Sequence, residues 1–125
     1  MKKIAKIFYY EDEFRYKDAS DISMNILINF LISDVRNANI EYYKQWALNP
    51  WLESSGGNIS DLYKEDDYIF IEDLYPEPEF KDIACKIKKS EFIKLLDEWK
   101  KHYDMKPKEI LITKEGEIFN LQATY

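Results

Sequence analysis

A chain of 125 residues, 46% hydrophobic and 34% charged, amounts to one globular domain, 1–125, able to bury roughly two-thirds of its unfolded surface. Its formal charge of −6 argues against direct nucleic-acid binding, which calls for a basic domain. One Cys and one His exclude a disulfide framework and multi-Cys or multi-His metal motifs, so no metal and no other cofactor is expected.

Met1-Lys2-Lys3 has the look of a signal n-region, but Lys6 and then Glu11-Asp12-Glu13 interrupt the apolar run that should follow. No apolar stretch approaches the ~20 residues needed to span a bilayer. The expectation is a cytoplasmic protein with a reduced thiol and no membrane partner. Residues 3–10 read as a strand inside a sheet, with Ile4 and Phe8 on one face and Ala5, Ile7 and Tyr9 on the other. Glu11 to Lys17 reads as a charged loop. Ser20 can cap a helix with Asp21 in its first turn, and Met24, Leu27, Ile28, Leu31 and Val35 form its apolar stripe. Asn25, Asn29 and Ser33 leave only a thin polar edge, so this helix should be mostly buried.

A second helix is expected over residues 40–49, stopped by Asn49-Pro50 and carrying Tyr42, Tyr43 and Trp46. Tyr42 and Trp46, four apart, are expected to share one face, with Tyr43 pointing elsewhere. Ser54 to Asn58 reads as a loop, residues 68–73 as a strand with Ile69 and Ile71 inward, and Tyr75 to Glu79 as an extended, proline-stiffened segment. Residues 82–88 alternate as a strand with Ile83, Cys85 and Ile87 inward. Ser90 can cap a third helix with the stripe Phe92, Leu95, Leu96, Trp99 and Tyr103. Glu109 to Thr113 and Glu117 to Ala123 then pair across a turn containing Gly116. The order β-α-α-β-β-α-β-β predicts an α+β fold: one antiparallel or mixed five-stranded sheet packed against about three helices.

The charge is concentrated. Residues 61–79 hold eight acids against Lys64 alone, a net charge of −7. Tyr rings lie between these acids. Carboxylates accept charge-assisted hydrogen bonds from Arg and Lys, while the rings offer rigid contact area and cation–π faces. Glu65, Asp66, Asp67, Tyr68, Glu72, Asp73, Tyr75 and Glu77 are therefore the candidate partner-binding residues. Tyr43, Trp46 and Trp51 form a second candidate set, because three Trp, ten Tyr and seven Phe are many rings for a small core. Chemistry has weaker support. His102 suits the negative end of its helix, Cys85 faces inward, and Gly56-Gly57 lacks a phosphate-loop pattern. Glu11-Asp12-Glu13 and Glu65-Asp66-Asp67 would share a Mg²⁺ only if the fold brought them together. No catalytic residue is expected.

The run Ile87-Lys88-Lys89-Ser90-Glu91-Phe92-Ile93-Lys94-Leu95-Leu96-Asp97-Glu98-Trp99, followed by Lys106-Pro107-Lys108-Glu109-Ile110-Leu111-Ile112 and Glu117-Ile118-Phe119-Asn120-Leu121, resembles small acidic immunity proteins of contact-dependent inhibition and related polymorphic toxin systems. The resemblance covers the layout of residues 68–121. It implies a cytosolic antidote that binds one cognate toxin domain, often a basic nuclease, and blocks it. Such families differ in the face that binds, so no site residue is transferred. The alternatives are a small carboxylate-based metal-dependent hydrolase and an acidic adaptor or nucleic-acid mimic. Without a sustained heptad pattern, the free chain is expected to be a monomer or weak dimer.

Overall fold

The structure, a computed structural model, describes residues 2–17 and 21–125. Among the described residues eight strands form two separate four-stranded sheets, not one sheet of five. In the first sheet β1 (Lys2–Tyr10) lies between β2 (Glu13–Lys17) and β7 (Glu109–Glu115), with β8 (Ile118–Thr124) beyond β7. In the second, β3 (Ser54–Gly56), β4 (Ser60–Glu65), β5 (Tyr68–Asp73) and β6 (Cys85–Lys88) follow chain order. Every pairing is antiparallel.

Three short strands account for the difference. The expected loop at 11–17 is a tight turn at Glu11-Asp12, both at positive φ, followed by β2 paired with β1. Only Phe14 and Tyr16 alternate within β2, a signal hidden by charged neighbours. The expected loop at 54–58 is β3 and its turn, and β4 follows with Ser60 and Leu62 as its only buried residues. The second sheet is thus built around an unexpected hairpin.

The α-helices of the described residues are α1 (Ile22–Asn29), α2 (Ile40–Leu48) and α3 (Lys89–Tyr103). Ser20 lies outside the described residues. Asp21 is the N-cap of α1, with its carboxylate accepting the N–H groups of Ser23 at 3.0 Å and Met24 at 3.3 Å. The helix continues as a π turn at Phe30–Asp34, and Asn25, Asn29 and Ser33 form its half-buried edge. α3 begins at Lys89 with Lys88 at its N-cap, so Ser90 is not the cap. The segment after Pro76 is a 3₁₀ turn at Pro78–Phe80 rather than extended throughout, and β6 starts at Cys85, leaving residues 82–84 outside the strand.

α1 and α3 each touch strands of both sheets, so the helices lie where the sheets meet. The core joins Ala5, Ile7, Ile110, Ile112 and Phe119 of the first sheet to Leu62, Ile69, Ile71 and Ile87 of the second through Leu27, Phe30, Phe92, Leu96 and Trp99. The other face of β1 is not buried as expected: Ile4 is exposed and Phe8 half-buried. Polar ties fix the helices to the sheets. Buried Asp34 accepts the N–H groups of Asn58 at 2.8 Å and Ile59 at 3.2 Å, locking the π turn to the β3–β4 turn. Glu91 of α3 accepts the Phe119 N–H of β8 at 2.9 Å and pairs with Lys94 at 2.6 Å.

Candidate functional site

Because side chains alternate along a strand, the β4–β5 hairpin divides the acidic segment between its two faces. Ser60, Leu62, Ile69 and Ile71 point to the core. Asp61, Tyr63, Glu65, Tyr68, Phe70 and Glu72 occupy the outer face, in the pairs Asp61 with Glu72, Tyr63 with Phe70, and Glu65 with Tyr68. Tyr63 and Phe70 stack at 5.0 Å with planes 4° apart, and the Tyr63 hydroxyl donates to Glu72 at 3.3 Å. Burial, with Glu72 beside it, raises the Tyr63 pKa.

The sequence-derived candidates fall at two ends of this hairpin, about 20 Å apart by strand rise. At one end are Glu65, Asp66 and Asp67, with Asp66 in a left-handed turn at φ 56°. At the other are Glu72, Asp73, Tyr75 and Glu77. Asp73 stands on the inward side of β5, opposite Ser60, and burial raises its pKa. Tyr75 is 84% exposed. Tyr68 is less available than its position suggests. Its hydroxyl hydrogen-bonds Glu117 of the β7–β8 turn, and the Lys86 ammonium lies 4.2 Å from its ring centre. Glu117 also pairs with Lys88 at 2.9 Å, so this corner joins the two sheets.

Ion pairs are unevenly spread over the described residues. Glu11, Glu13, Asp21, Glu41, Glu91, Asp97, Glu109 and Glu117 all have a cationic partner. None of the eight carboxylates of 61–79 has one among the described residues. The one base in that stretch, Lys64, turns inward: its ammonium donates to the carbonyls of Trp46 at 2.5 Å and Asn49 at 2.6 Å and lies 4.7 Å from the Trp46 ring centre. Burial, with Lys89 nearby, lowers its pKa.

Of the second candidate set, Tyr43 and Trp46 are core residues, 2% and 1% exposed, and offer no docking surface. The inward face of α2 is Ile40, Tyr43, Trp46 and Ala47, so Trp46 shares its face with Tyr43 rather than Tyr42. Burial pushes the Tyr43 hydroxyl up to about 12. Trp51 is the opposite case, 88% exposed. Beside it Tyr42, Leu48 and Leu52 are also exposed, and together with Gln45 and Pro50 they line an open groove of about 440 Å³ floored by Trp46. The sequence reading missed Leu48 and Leu52. Leu48 is one residue past the inward-facing Ala47 and turns outward, but helical spacing alone could not show which side of α2 meets the core.

This groove adjoins the acidic turn. Lys64 N–H donates to Glu53 O at 2.9 Å, extending the β3–β4 ladder by one residue, which brings Leu52 and Glu53 to the Glu65 end of the hairpin. A larger polar cleft of about 650 Å³ lies elsewhere, between the β1–β2 turn and the end of α3, with Asp12, Glu13, Arg36, Asp104 and Lys106 among its walls. Glu11-Asp12-Glu13 and Glu65-Asp66-Asp67 lie on different sheets, and among the described residues no three His, Cys, Asp or Glu side chains converge to hold a metal. His102 meets the Tyr125 hydroxyl, and buried Cys85 has its thiol pushed up to about 12 by desolvation, far from a reactive thiolate. No helix of the described residues is long and apolar enough to cross a membrane.

Family models, curated proteins and solved structures gave no match to this chain.

Proposed function

We propose that this chain is an antidote of the immunity-protein kind, which binds a basic toxin domain and neutralises it, using the outer β4–β5 hairpin as its contact surface. The observation that carries the reading is the distribution of ion pairs. Eight acids elsewhere are paired within the chain, whereas among the described residues none of the eight carboxylates of 61–79, a segment of net charge −7, has a cationic partner. Like charges held together work against folding, and a basic partner offsets that cost. A nuclease surface that attracts phosphates carries Lys and Arg, and carboxylates can occupy the places of those phosphates. Such a field also speeds encounter, and salt weakens it.

The test is to recover a basic chain that co-purifies from the native host, then measure its toxic activity against increasing amounts of this protein. Activity should fall to background at one equivalent. Glu65→Gln with Asp66→Asn, and Glu72→Gln with Asp73→Asn, should slow association and flatten its salt dependence while the fold persists. A carboxylate facing a buried Arg should cost about 2–5 kcal/mol on removal, and rim positions much less. Unchanged affinity and salt dependence in both double variants would remove the hairpin from the interface. Failure of the recovered chain's activity to respond would remove the antidote reading.

A further inference from the structure

The acidic hairpin explains attraction but not what anchors a complex, since exposed ion pairs contribute little by themselves. We infer that the Trp51 groove is the anchor, and that its occupant is a positively charged amphipathic segment of the partner, apolar side chains seated against Trp51 and Leu48 with Lys or Arg toward Glu53 and Glu65. This deepens the proposal above and rests on it for the partner's identity, not for the groove.

Three observations converge. Trp51 is 88% exposed, Leu48 62%, Tyr42 54% and Leu52 47%, and they line one groove as a contiguous apolar patch. Isolated surface hydrophobes are ordinary, but a patch with an aromatic centre and a polar rim has the anatomy of a protein interface, where Trp most often dominates the energy. The patch is also held in place. Lys64 pins the carbonyls of Trp46 and Asn49, and Asn49 Oδ1 accepts the Trp51 N–H at 2.8 Å, so the backbone that carries Trp51 is already ordered. The edge carries unpaired carboxylates beside Lys64 and Lys89. Glu53, Glu65 and Asp66 have no ion-pair partner among the described residues, and Lys64 is directed inward. A neutral apolar segment would leave those carboxylates uncompensated and an acidic one would be repelled. A segment with its own cations satisfies both halves of the site.

The probe is a short, fluorescently labelled helical peptide of Leu and Lys with one apolar face. A Leu/Glu peptide of the same pattern and a scrambled Leu/Lys peptide with no apolar face serve as comparisons. Anisotropy titration of the full chain should show the patterned Leu/Lys peptide binding at least about tenfold tighter than either. Trp51→Ala should weaken it about tenfold, and Glu53→Gln with Glu65→Gln should weaken it mainly at low salt. Trp51 is solvent-exposed, so Trp51→Ala should keep the near-ultraviolet circular dichroism that the buried Trp46 and Trp99 dominate. Equal binding of the three peptides, or a folded Trp51→Ala that binds as before, would overturn the inference. A peptide that binds through Trp51 while no toxin is neutralised would leave the groove standing and the antidote reading fallen. A toxin complex indifferent to Trp51→Ala would do the reverse.

Discussion

Lys64 lies in the most acidic stretch of the chain, yet it pairs with none of those acids, and Lys64→Met tests what it does instead. Methionine keeps most of the aliphatic stem and removes the ammonium. Two hydrogen bonds from a charged donor are lost, at 2.5 and 2.6 Å, each contributing about 1.5–3 kcal/mol before desolvation is counted, together with a cation–π contact of about 0.5–1 kcal/mol. Two terms reduce the sum. The ammonium is partly desolvated where it sits, consistent with its lowered pKa, and that penalty is recovered on substitution. The carbonyls also keep weaker partners, Asn49 N–H on Trp46 O at 3.2 Å and Leu52 N–H on Asn49 O at 3.5 Å. The expected net loss is about 2 kcal/mol, a fall in Tm of roughly 8 °C for a domain of this size. Urea denaturation followed by circular dichroism should show a lower midpoint at unchanged slope. Hydrogen exchange should place the loosening first at Trp51 and Leu52, because Lys64 holds the loop that carries them. A loss below about 0.5 kcal/mol with exchange at Trp51 unchanged would refute the account of Lys64 as the tie that holds the end of α2 and organises the groove.

Gly57→Ala would place a Cβ 2.4 Å from Asp34 Cγ, and that carboxylate is held by the Asn58 and Ile59 N–H groups, so a loss of about 2–3 kcal/mol is expected by denaturation; Gly56→Ala, whose nearest atom is 3.7 Å away, should change stability by less than about 1 kcal/mol. Asp21 should make the fold acid-sensitive: burial pushes its carboxyl up, but Ser23, Lys3 and the Met24 N–H outweigh it and hold it at about 2 rather than 3.8. Its stabilisation is then complete above the unfolded value and lost as pH falls from about 4 towards 2; with the side chain 31% exposed, about 1–2 kcal/mol should disappear from a pH–stability curve over that window, and Asp21→Asn should flatten it.

The strongly periodic segments were legible in the chain: β5 and the stripes of α1 and α3 bury the face that their spacing marks, the β7–β8 hairpin pairs across its turn, and β1 buries one of its two apolar faces, Ala5 and Ile7, while Ile4 stays exposed. The two-sheet division was not. β2 has two alternating rings among charges and a two-residue turn with no Gly, and β3–β4 offers Leu62 and Ser60 as its only buried side chains, so no apolar period marks either hairpin. In α2 the pairs Tyr42–Trp46 and Tyr43–Trp46 both satisfy helical spacing; Ile40 and Ala47 decide for Tyr43, but only once the core is in place. The acidic character of 61–79 was plain from composition, while its lack of internal cations depends on where Lys64, Lys86 and Lys88 point. Trp51 was legible as a ring beyond a helix end, and its company, Leu48 and Leu52, was not, because an exposed Leu looks like a buried one in a sequence.

The contact between Glu91 and Phe119 bears on whether another strand can add to β8. β8 closes one side of its sheet with seven residues, among them Asn120, Gln122 and Thr124, and no Pro or charged side chain to discourage another strand from zipping alongside. The guard stands on α3. Its carboxylate takes the N–H that an incoming backbone carbonyl would need, and burial, which alone would favour the protonated acid, is outweighed by Lys94 and by that same N–H. The helix thus does for β8 what charges on the strand do for other exposed margins, and self-templated growth along this border has to dislodge a side chain before its first rung can form.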